Sequence, residues 1–166
     1  MTKAEENKRK TKKKETKAED LVEQGKSLLK ERKFDKAKDV FEKAVELDPN
    51  FPKIYSYLIP IYHELKMDAN AVQAYKNAIE LDQNDLVAHY HLGVMSLKKK
   101  QFMTAKKLFK KVIDVNRRHV GAIFGFGLAS FRTGNLAAAK KCFEYVSKAD
   151  PKNAVAKKYC EVLEKQ

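Results

Sequence analysis

Phe41, Tyr75, Phe109 and Phe143 stand 34 residues apart, four times in succession without gap or insertion. Ala37, Ala71, Ala105 and Ala139 precede those aromatics by four residues, one helical turn earlier on the same face. A period of this length decides architecture before local propensity does. Each unit is one supersecondary element whose apolar side is buried only by its neighbour.

Set out in this register, the units run over 18–51, 52–85, 86–119 and 120–153. Within each, apolar residues recur at spacings of three and four, as in Phe34, Ala37, Val40, Phe41, Ala44 and Val45, which predicts two antiparallel helices joined by a short turn. Pro49 and Pro151 stop the second helix of the first and fourth units, and Gly134-Asn135 marks the turn inside the fourth. Residues 154–166 begin another first helix, the terminal helix that an array needs to close its exposed end. Residues 1–17 hold eight Lys or Arg and three Glu with almost nothing apolar, so a basic disordered tail or a frayed helical extension is expected there.

The residues at fixed positions resemble the tetratricopeptide repeat. Gly25, Gly93 and Gly127 supply its small residue on the first helix. The Ala series, the aromatic series, and Ala44 and Ala78 supply its second-helix positions, and Pro49 and Pro151 its closing proline. The resemblance covers 18–166 and implies an all-α fold, a right-handed α-solenoid of helix-turn-helix units. Its physical basis is close packing: a small residue lets the paired helices approach while the ring fills the space beside the contact. The second unit departs from the pattern. Ile59 replaces the small residue, Asp68 stands where Phe34, Phe102 and Leu136 stand elsewhere, and Pro60 interrupts the first helix, which predicts a kink and less regular packing.

In this family the first helices line a concave surface, so the resemblance implies a groove for a peptide or helix. The positions that should face it carry Lys26, Lys53, Tyr57, His63, Tyr90, His91, Val94, Leu97, Phe124, Leu128 and Phe131, an aromatic and apolar mix with few charges. The carboxylate-gripping set of some family cochaperones is missing, since its positions hold Val22, Lys26, Tyr57, Val87 and His91. Gly121 and Gly125 on the same side predict a recess beside Phe124 and Phe131 that accepts a partner's apolar side chain.

The net charge is +13, with 35 basic and 22 acidic residues. It is unevenly spread: the first two units are −2 each, the third is +8, the fourth +3 and residues 1–17 +5. Lys106, Lys107, Lys110 and Lys111 form a stripe on one helix, which Lys140 and Lys141 continue one unit later. Solvation is the ordinary meaning of such a face. Its clustering also suits an acidic protein or an anionic membrane, at roughly 1 kcal/mol per lysine near an anionic leaflet. Nucleic acid is disfavoured, because the stripe lacks interleaved exposed aromatics and the chain has no recognition-fold signature.

Little points to chemistry. Cys142 and Cys160 have no metal-ligand spacing and read as reduced thiols. His89 and His91 diverge on a helix, His63 and His119 have no evident partner set, and Gly121, Gly125 and Gly127 do not form a phosphate loop. No enzyme activity, cofactor or metal is expected. No stretch approaches 18 uninterrupted apolar residues and no apolar core follows the charged start, so neither a membrane span nor a cleaved signal is expected. The reading is a cytoplasmic scaffold or adaptor that binds a protein segment, with peripheral contact at the inner membrane face and self-association through array ends as further expectations. The alternative is a chaperone for a secreted or membrane-targeted client.

Overall fold

The computed structural model describes residues 3–51 and 53–165. The outermost residues of the expected tail (1 and 2), the first residue of the second repeat (52) and the last residue (166) lie outside the described residues. Among the described residues are nine α-helices: α1 Lys3–Lys30, α2 Phe34–Leu47, α3 Ile54–Glu64, α4 Asp68–Leu81, α5 Leu86–Lys98, α6 Phe102–Val115, α7 Val120–Arg132, α8 Leu136–Ala149 and α9 Ala154–Glu164. They fall into two compact units, residues 1–83 and 84–166.

In the first unit α1 packs on α2, α2 on α3 and α3 on α4. The buried stripe of α2 is Ala37, Phe41 and Ala44, at the i, i+4, i+7 spacing of one helix face. Phe41 is wholly buried, worth roughly 2–3 kcal/mol of apolar transfer. The α1 backbone comes so close that a Cβ on Gly25 would lie 2.7 Å from Phe41 Cζ, which is why this position is small. Of the two expectations for the basic segment, a disordered tail or a helical extension, residues 3–17 show the second: they continue α1 as helix, with every described side chain exposed. Lys, Arg and Glu are good helix formers, Glu5 and Glu6 lie in the first turn where the helix dipole favours anions, and the packed part of α1 supplies the nucleus.

The second hairpin of this unit is built differently. Ile59 stands where the other first helices of the repeats have glycine, and α3 and α4 pack less extensively than the helices of the other hairpins. α3 runs on through Pro60, which is exposed, so the missing hydrogen bond falls on the solvent side. Tyrosine hydroxyls join α3 to α4 and to α2. Asn77 Nδ2 donates to Tyr55 Oη at 3.2 Å, Tyr62 Oη donates to Glu42 Oε1 at 2.9 Å, and His63 Nε2 lies 3.0 Å from Tyr75 Oη.

In the second unit α5 packs on α6, α6 on α7, α7 on α8 and α8 on α9, and α5 also meets α7. Its cores repeat the same stripe: Ala105, Phe109 and Val112 on α6, then Ala139, Phe143 and Val146 on α8. Asp85, His119, Asn135 and Asn153 cap α5, α7, α8 and α9 by accepting from the backbone N–H three residues on. On α9, Glu161 stands exposed at the place that Gly25, Gly93 and Gly127 hold in the earlier first helices.

The turns between paired helices share one device. Arg32, Lys66, Lys100 and Gly134, again 34 apart, all adopt the left-handed conformation, with φ of 56°, 57°, 58° and 78°. In each, the next residue donates back to a carbonyl five residues earlier, as Lys33 does to Leu28 and Asn135 to Ser130, both at 2.9 Å.

Candidate protein-interaction surface

The expected groove residues divide between the two units. Lys53 and Tyr57 belong to the first; Tyr90, His91, Val94, Phe124, Leu128 and Phe131 belong to the second. Lys53 is exposed at the start of α3, with φ 62°. Tyr57 is half-buried between Phe41, on which it stacks at 5.2 Å and 5°, and Lys26 Nζ, 5.5 Å from its ring centre. Lys26 is steadied in turn by Glu23 Oε1 at 2.6 Å, and that hydrogen bond raises the ammonium above its usual pKa.

In the second unit the aromatic positions are tied into the packing. Tyr90 meets His119 at 4.8 Å, His91 at 5.2 Å and Phe109 at 6.0 Å between ring centres. Phe124 sits edge-on to Phe143 at 5.9 Å, and Phe131 edge-on to Tyr159 of α9 at 5.1 Å. Leu128 packs against the cluster of Ala139, Phe143 and Leu163, and Val94 against that of Ala105, Phe109 and Val112.

The expected recess at Gly121 and Gly125 is filled from within. A Cβ on Gly121 would stand 2.8 Å from Tyr90 Oη, and one on Gly125 would stand 2.4 Å from Phe109 Cζ. These glycines admit the protein's own rings, so the apolar anchor they were expected to receive has no place there. Sequence alone could not supply this, because the direction in which Tyr90 and Phe109 point depends on the packing of α5 and α6 against α7.

The large apolar side chains that stand exposed on the first helices of the second unit are aliphatic. Val87 of α5 is 65% exposed, Val155 of α9 53% and Val162 of α9 39%. Val87 shares the face of α5 that carries the half-buried Tyr90 and Val94, three and seven residues on. Val155 and Val162 follow Val87 and Val94 by two full periods, a signal in the register that reading residues 154–166 only as a cap overlooks. Neither α5 nor α7 contains an acidic residue.

The basic stripe lies on the second helices α6 and α8. Lys107, Lys111 and Lys141 are exposed, while Lys106 and Lys140 are half-buried. Lys106 Nζ lies 5.8 Å above the Phe126 ring centre, and Lys110 is held by both carboxylate oxygens of Asp114, at 2.7 and 3.0 Å. The freely available charge is therefore smaller than six lysines. Burial pushes the Cys142 thiol up, away from the thiolate a reactive cysteine needs. Among the described residues no group of three or more His, Cys, Asp or Glu is arranged to hold a metal ion, and no helix is long and apolar enough to cross a membrane.

Paired helices with a small residue against a ring, repeated every 34 residues, define a helical-repeat protein. Tetratricopeptide repeat models match residues 18–51, 61–85 and 74–107, so the chain carries tetratricopeptide repeats. None of the curated proteins matches it. Among solved structures, the MamA protein aligns with a TM-score of 0.76 at 19% identity, over 90% of this chain and 81% of MamA. YrrB, described as a TPR protein with an unusual peptide-binding site, aligns at 0.75 and 23% identity over 86% of this chain and 74% of its own. PilF of Pseudomonas aeruginosa aligns at 0.64 and 17% identity, over 90% and 68%. These likenesses establish the all-α fold of helix-turn-helix units.

Proposed function

We propose that the chain is a non-catalytic scaffold that binds a peptide or helical segment of another protein along the first helices of its second unit. The observation that carries this reading is the aliphatic edge of that face. Val87 is exposed on the face of α5 that carries Tyr90 and Val94, and Val155 and Val162 are exposed on α9, where a solvated face would carry polar residues. The peptide-binding description of YrrB agrees with it. The lysines of α6 and α8 form a second, separate contact for an acidic protein or an anionic surface.

The test is co-purification of the intact chain from its own cells beside two variants, Val87→Asp with Val162→Asp, and Lys107→Glu with Lys111→Glu and Lys141→Glu. All these positions are exposed, so the fold should persist. The valine variant is expected to lose a protein partner that the lysine variant keeps. If both variants retain the same partners as the parent chain, the reading is wrong.

A further inference from the structure

We infer that the segment bound on the first helices of the second unit has an apolar centre and acidic residues at both ends; this rests on the scaffold reading above. The second unit carries 17 Lys or Arg and 6 Asp or Glu, a net charge of +11 in 83 residues. Much of that charge brackets the apolar strip. α5 and α7 run parallel, since each is joined to α6 by a reversal of direction. Lys98, Lys99, Lys100 and Arg132 thus mark one end of both helices, and Arg117 and Arg118 mark the other.

All six cations are exposed, and none takes part in an ion pair among the described residues. Helix electrostatics does not account for those in the turns. Lys99, Lys100, Arg117 and Arg118 each lie between the C-terminus of one helix and the N-terminus of the next, where the opposed partial charges largely cancel. A strip on α5 and α7 that holds no carboxylate, with cations at both ends, complements an apolar segment that is acidic at both ends. The rims also fix a spacing: α5 and α7 are 13 residues long, about 20 Å. The acidic groups of the partner should be separated by about 13 residues if it is helical, or about six if extended.

The experiment is selection of a random 20-residue peptide display library on the intact chain. In parallel, the selected peptides are measured on Lys98→Glu/Lys99→Glu/Lys100→Glu and on Val87→Asp/Val162→Asp. The expected outcome is peptides with Leu, Phe or Val flanked by Asp or Glu at that spacing, bound about tenfold more weakly by the lysine variant and by the parent chain at high salt. Peptides that are lost on the valine variant yet show no acidic flanks would leave the site reading intact and overturn the charge inference. An empty selection, or peptides indifferent to the valine variant, would overturn both. A parent chain that sediments as a dimer, and a valine variant that does not, would assign the face to a second copy and also overturn the inference.

Discussion

The ring of Tyr159 lies nearly parallel to that of Phe143, with centres 4.6 Å apart and planes 14° from each other. Tyr57 stands in the same relation to Phe41, and both pairs are 16 residues apart in sequence. The core aromatic of one repeat is thus roofed by a residue of the next first helix, so loss of the roof weakens the joint between repeats. Tyr159→Ala should lower stability by about 2 kcal/mol in urea denaturation, through lost apolar area and the lost ring pair, while Tyr159→Phe should cost far less. Equal losses from the two substitutions would mean that the hydroxyl, and not the stacked ring, holds the joint.

At the equivalent place over Phe109 the chain has Gly125, and the ring occupies the space a side chain would need. Gly125→Ala would improve helix propensity by about 1 kcal/mol, yet it puts a Cβ inside the ring's contact distance. Overpacking should dominate, with a net loss of about 1–2 kcal/mol. The same denaturation series would reveal it, and a gain in stability would show that Phe109 moves aside freely.

Three of the four left-handed turn residues are Arg or Lys, where glycine carries no steric cost. Lys66→Gly and Lys100→Gly should each raise the melting midpoint, by about 1 kcal/mol of stability, and Gly134→Ala should lower it by a similar amount. A stabilised Gly134→Ala would contradict the turn geometry.

Burial, aided by the hydrogen bond to Glu42, raises the Tyr62 phenol above its ordinary value. The unfolded chain gives up that proton near pH 10, whereas the folded chain keeps it to higher pH. The stability that Tyr62 contributes is therefore complete below about pH 10 and is lost as pH climbs beyond it. Tyr62→Phe should cost about 1 kcal/mol at neutral pH. It should also make the fall in stability above pH 10 shallower than in the parent chain, as followed by circular dichroism in denaturant across pH 8–12. Parallel curves for the two proteins would remove Tyr62 from the alkaline response.

The period made the helices and their pairing legible, because Phe41, Tyr75, Phe109 and Phe143 needed only to be counted. The basic segment 3–17 was legible only as a choice between a disordered tail and a helical extension, since its composition denies it a core but says nothing of how far a neighbouring helix propagates into it. The turns at Arg32, Lys66 and Lys100 carry no turn residue and are visible only by stepping back from Gly134 in units of 34. The candidate surface was legible as a face: the rings expected on it pack against one another, and the large apolar side chains most exposed there are valines.

Glu161 has a consequence for growth of the array. Where Gly25, Gly93 and Gly127 let a ring come against the backbone, Glu161 would bring a carboxylate into the same contact, and an unpaired buried carboxylate costs several kcal/mol. In polymer terms Glu161 raises the cost of growth: a helix that docked on α9 as α6 docks on α5 would meet a carboxylate where Gly93 offers bare backbone.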